Sequence, residues 1–166
     1  GNRPSIQKKI YSYKDIQMLI REPAIQQDKI NSKYVLISTL PSEKQFCLIK
    51  NTCPVEQEER IVNELLTHRR NVIVCIYGEN TCDTTIFEKY KQLNELGFMN
   101  IYLYIGGMFE WLCLQDIYSN TYFETTGKHN EILDYAPREN RDFELSNLQQ
   151  NGMSDNKSLL GYLLKW

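Results

Sequence analysis

The sequence has no Cys-x-x-Cys pair, only two histidines, no apolar run of membrane length and no surplus of positive charge. Each absence removes a class of function. His68 and His129 have no Cys or His beside them at ligand spacing, so a structural zinc site has little to be built from, and neither metal nor cofactor is expected. The five cysteines, Cys47, Cys53, Cys75, Cys82 and Cys113, are an odd set, and three of them lie inside apolar runs where a thiol packs as a small hydrophobe. That usage fits a reducing, cytoplasmic compartment. With 19 basic and 21 acidic residues the formal charge is -2, and no block of Lys or Arg compensates locally, so nucleic acid is not an expected partner. The longest apolar runs, 72–77 and 101–105, fall far short of the roughly 20 residues a membrane crossing needs, and no membrane partner is expected. The chain opens on Gly1 and Asn2 without a Met, which leaves room for a longer natural protein.

What is present suits one globular domain: 166 residues, 42% of them hydrophobic and 24% charged. Tyr13, Ile16, Leu19 and Ile20 repeat at helical spacing, with Ser12 placed to cap and Pro23 to stop the helix. Residues 34–37 form a compact β-branched and aromatic run, and 46–49 suggest a second short strand. From Val55 to Leu66 the apolar residues fall on one stripe of an amphipathic helix, with acids in its first turns. Residues 72–77 are apolar on both faces, as a central strand covered by helices on both sides must be. A polar loop, Gly78, Glu79, Asn80, Thr81, Cys82, Asp83 and Thr84, leads into a helix over about 84–96. In that helix Ile86, Phe87, Tyr90, Leu93 and Leu96 are expected to point inward, and Thr85 with Glu88 has capping-box spacing. Gly97 is placed to end it, and a strand follows at 101–104. Gly106 and Gly107 then turn the chain into a helix over 108–118, with Phe109, Leu112, Cys113 and Ile117 on its apolar face.

This alternation predicts an α/β domain over 1–136, with a small parallel sheet flanked by helices on both faces. Residues 137–157 turn polar and are expected to be a linker. Leu159, Leu160, Leu163, Leu164 and Trp166 in 158–166 suggest a short apolar helix that folds back on the domain or docks on a partner.

One combination is more specific. Leu96-Gly97-Phe98 before a strand, followed by Gly106-Gly107 and then Trp111, resembles the ending of a rhodanese-like domain, and the stretch from about 71 to 111 resembles that domain's second half. The resemblance implies a catalytic cysteine directly after the central strand, at the mouth of a loop whose backbone N–H groups stabilise a thiolate or persulfide anion. Gly78 occupies that position. The loop also lacks the Arg of the Cys-x5-Arg pattern in the related phosphatases, which weighs against phosphatase or arsenate-reductase chemistry.

Two readings follow. In the first, the chain is a non-catalytic rhodanese-like module that binds a protein partner or regulates an attached domain. In the second, it is a sulfurtransferase of the thiosulfate type that forms a persulfide on Cys82, with the amides of 79–84 holding the anion. Cys82 is the loop's one thiol, near a helix N-terminus that favours a thiolate and beside Glu79 and Asp83, which oppose it. Cys75 reads as a core thiol and Trp111 as packing. Tyr77, Tyr90, Tyr102 and Tyr104 fall where a core uses them rather than on a base-stacking platform. Oligomeric state stays open.

Overall fold

The computed structural model describes residues 9–26 and 31–140. Three strands, β1 (Tyr34–Ser38), β2 (Ile73–Tyr77) and β3 (Asn100–Tyr104), form one parallel sheet in the order β1-β2-β3. Tyr34, Ile73 and Asn100 share one rung, and Ser38, Tyr77 and Tyr104 share another. Parallel neighbours need a crossover, and helices supply both: α2 (Val55–His68) joins β1 to β2, and α3 (Thr85–Glu95) joins β2 to β3. Helix α1 (Tyr13–Leu19) precedes the sheet and α4 (Gly107–Tyr118) follows it.

Strand side chains alternate between faces, and here both faces are covered. Tyr34, Leu36, Cys75, Tyr77 and Tyr104 pack with Ile16 of α1 and with Met108, Trp111 and Leu112 of α4. Val35, Ile37, Val74, Ile76, Ile101 and Leu103 pack with Ile61 and Leu65 of α2 and with Ile86 and Leu93 of α3. The two-sided apolar runs in the sequence are therefore strands buried between two helical layers. Fold class agrees with the expectation, as do the strands expected at 34–37, 72–77 and 101–104. The helix expected within 158–166 lies outside the described residues, as does most of the 137–157 linker.

Several local expectations are corrected. Residues 46–49 form no strand. Instead Ile49 makes a single antiparallel bridge to Thr125, flanked by Thr126 N–H donating to Leu48 O at 2.8 Å and Lys50 N–H to Glu124 O at 3.1 Å. Phe87, Leu96 and Ile117 are exposed, because each helix buries a stripe narrower than its apolar content. Met108, Trp111, Leu112 and Gln115 supply the inner face of α4 in place of Ile117. Gly106 has an ordinary helical φ of -55°, so only Gly107, at φ +68°, uses the left-handed freedom expected of the pair.

The ends of α1 and α3 show why they stop where they do. Ser12 Oγ accepts from Asp15 N–H while Asp15 Oδ2 accepts from Ser12 N–H, a reciprocal cap. At the end of α3, Gly97 (φ +104°) donates to Asn94 O at 3.0 Å and Phe98 N–H to Leu93 O at 3.2 Å, with Phe98 and Leu93 buried in the same cluster. This is a Schellman closure, and it accounts for the Gly-Phe pair in physical terms.

Burial holds several acid groups protonated: it raises the Cys75 thiol and the Tyr77 phenol above their ordinary 9.0 and 10.0, and pushes Cys53 up to about 12. Such groups stabilise the fold fully below their unfolded pKa, and that stability is lost as pH rises through the folded value. In urea titrations at a series of pH values, the unfolding midpoint is expected to be insensitive to these groups up to about pH 8 and to fall steadily above about pH 9.

Candidate functional site

The site lies where two strand-to-helix turns meet. β2 ends at Tyr77, and the next residues, Gly78 and Glu79, present their carbonyls to the start of α4: Met108 N–H donates to Gly78 O at 2.9 Å and Phe109 N–H to Glu79 O at 2.8 Å. The approach is close because Gly107 has no side chain. A Cβ there would stand 2.7 Å from Gly78 O and 3.0 Å from Asn80 N. Gly107 thus serves the loop after β2 as much as its own turn.

The loop then folds back on itself. Asp83 Oδ2 accepts from Glu79 N–H at 2.8 Å, and Asp83 Oδ1 accepts from Thr85 N–H at 2.9 Å and from the Thr85 hydroxyl at 2.5 Å. Asp83 therefore caps α3 in place of the expected pair of Thr85 and Glu88, because Thr85 lies inside the helix and the boundary residue Thr84 makes no side-chain cap. Asn80 is buried and ties down three more points. Its Oδ1 accepts from Cys82 N–H at 2.9 Å, its backbone O accepts from Asp83 N–H at 3.1 Å, and its Nδ2 donates to Tyr135 O at 2.9 Å.

Gly78 explains how the carboxylate fits. A Cβ at Gly78 would lie 2.5 Å from Asp83 Oδ2, 2.9 Å from Asp83 Cγ and 3.0 Å from Ile86 Cγ2. The carboxylate of Asp83 occupies the space that a side chain at position 78 would need. Glu79, Cys82 and Asp83, whose amides the sulfurtransferase reading assigns to a bound anion, direct their N–H groups to acceptors inside the loop.

Cys82 and Thr81 are exposed at the outer rim, and Cys82 forms no disulfide. Cys75 is fully buried in the sheet, with its thiol pushed up by burial. Trp111 is also fully buried: its Nε1 donates to Glu124 O at 3.1 Å, and its ring meets Tyr104 and Phe123 edge-on.

Lys44 enters from a 3₁₀ turn, Ser42–Lys44, and was not legible as a site residue, since 35 positions separate it from the loop. Its ammonium pairs with the Glu79 carboxylate, donates to Asp134 O at 2.6 Å and stands 5.1 Å from the centre of the Tyr135 ring. Two loop carboxylates, Glu79 and Asp83, against one ammonium leave a local charge of -1, which repels a second anion. Among the described residues no group of three or more His, Cys, Asp and Glu side chains is placed to hold a metal ion, and no helix is long and apolar enough to cross a membrane.

No protein-family model matches the sequence, and no curated protein matches it. Similar solved structures include two from one Anabaena sp. protein. The crystal structure of the Alr3790 protein from Anabaena sp. is 15% identical, with a TM-score of 0.47, over 87% of this chain and 94% of that one. The crystal structure of the Rhodanese_3-like domain of the same Anabaena sp. protein is 16% identical, with a TM-score of 0.42, over 59% of this chain and 96% of that one.

Proposed function

We propose that this chain is a non-catalytic rhodanese-like module that acts by binding a protein partner or regulating an attached domain. The observation that carries the reading is the Asp83 carboxylate, which fills the space of the missing side chain at Gly78 and accepts the Glu79 N–H. Covalent sulfur transfer needs a nucleophile inside its anion-stabilising donors, and here an internal carboxylate takes that role. A fixed negative charge there also raises the cost of a persulfide or thiosulfate nearby.

The competing reading places a persulfide on Cys82, whose support is its exposure at the loop rim. Sulfur transfer from thiosulfate to cyanide separates the two. The module reading expects no turnover above the protein-free blank for the unmodified chain or for Cys82→Ser. Turnover that disappears in Cys82→Ser would establish the sulfurtransferase instead.

A further inference from the structure

The segment following the Ile49–Thr125 bridge returns across the loop and ends in a 3₁₀ turn, Ile132–Tyr135. Up to Thr126 the chain is tied to the domain by backbone pairing with Leu48 and Lys50. Beyond it the attachments change character. The turn is closed internally, by Asp134 N–H to Glu131 O and Ala136 N–H to Leu133 O, both at 3.2 Å. It is held to the loop side by Asn80 Nδ2 on Tyr135 O and by Lys44 on Asp134 O and the Tyr135 ring. Leu133 stays 71% exposed, while Tyr135 is buried in the core and Ile132 packs against it, so the turn rests on α4 through these two side chains.

Tyr135 is anchored at a cost. Its ring is buried in the cluster that holds Cys47, Tyr77 and Met108, yet its hydroxyl is buried with no hydrogen-bond partner among the described residues. A buried orphan hydroxyl opposes closure, because it recovers water as soon as the turn lifts. A cavity of about 540 Å³, lined by Lys44, Phe46, Leu133, Tyr135 and Arg138 among others, lies between this turn and the one carrying Lys44. A six-residue unit held by two apolar side chains and three polar contacts, bordered by open space and carrying a built-in penalty, is suited to a low-energy local opening.

We propose that residues 131–136 are a latch over the 78–84 loop, opening and closing as a unit while the sheet stays folded. Open, it uncovers Asn80, Lys44 and the apolar floor around Cys47; closed, it withholds them from a partner. The latch holds whether or not the loop is catalytic, so its failure leaves the preceding reading untouched.

Two buried thiols report on it. Cys47 and Cys75 are both fully buried in the cluster that holds Tyr135, but Cys75 is in the central strand, whereas Cys47 lies outside the sheet with its Sγ donating to Gly127 O at 3.4 Å. Labelling of the full chain with a maleimide, read site by site by peptide mass spectrometry, is expected to modify Cys47 well before Cys75. Tyr135→Phe keeps the ring and removes the orphan hydroxyl, so Cys47 labelling is expected to slow by about five- to hundredfold. Cys47 and Cys75 reacting at one common rate would mean that only global unfolding exposes Cys47, and would overturn the latch. Cys47 labelling that is fast but unchanged in Tyr135→Phe would overturn it as well.

Discussion

Replacing Gly107 with Ala is expected to destabilise the domain by roughly 2–5 kcal/mol, the sum of a left-handed backbone forced on a residue with a side chain and a close contact in a packed turn. Position 107 has φ +68°, and the new methyl would stand 2.7 Å from Gly78 O and 3.1 Å from Glu79 C. Both are backbone atoms, so neither contact is relieved by a rotamer change. The clash also falls on the two carbonyls that receive Met108 N–H and Phe109 N–H. Gly106→Ala is the control, because its Cβ would meet only the carboxylate end of Glu110, and its φ is ordinary. Urea unfolding of the two variants should therefore differ widely, with Gly107→Ala far the weaker. Similar losses would mean that the two turns are not stitched together as described.

Replacing Asp83 with Ala is expected to cost roughly 2–4 kcal/mol, combining a lost helix cap with a lost charge-assisted bond to a partly buried amide. The side chain serves Glu79 N–H, Thr85 N–H and the Thr85 hydroxyl together, so its removal frays the start of α3 and loosens the loop after β2 in one step. Hydrogen exchange should show faster exchange at Glu79 and Thr85, with the β1 and β2 amides little changed. Asp83→Asn keeps an acceptor oxygen and should retain part of the stability, which separates hydrogen bonding from charge.

The sheet and its helices were legible because long apolar periodicity carries them. Residues 34–37, 72–77 and 101–104 have too much apolar content for one-sided strands, and each is a strand covered on both faces. Gly97 announced a helix end, and the bonds from Gly97 and Phe98 close it. Residues 46–49 misled because β propensity describes what fits a half-buried surface, and here that surface is met by a single bridge instead of a ladder. Phe87, Leu96 and Ile117 misled because apolar type does not say which of several apolar residues reaches the core.

The candidate loop was legible in position but not in its internal bonding. Gly78 and the acidic residue five positions on were visible in the sequence, yet their relation rests on a fold-back that no periodicity encodes. Lys44, Glu79, Asn80 and Tyr135 meet only in three dimensions: 35 positions separate Lys44 from Glu79, and 55 separate Asn80 from Tyr135. Sequence spacing reports local helical and strand neighbours, and a site assembled from three loops lies beyond its reach.

The carboxylate of Asp83 stands where a side chain at position 78 would be, and the closure of the loop depends on it. A double-mutant cycle of Gly78→Ala and Asp83→Ala, followed by urea unfolding, tests it directly. Gly78→Ala should destabilise the unmodified chain by roughly 1–3 kcal/mol, because its methyl displaces the carboxylate, and should cost much less once Asp83 is already Ala. Equal costs of Gly78→Ala in both backgrounds would show that the space at Gly78 is not filled by Asp83, and the reading of the loop as closed by its own carboxylate would fall.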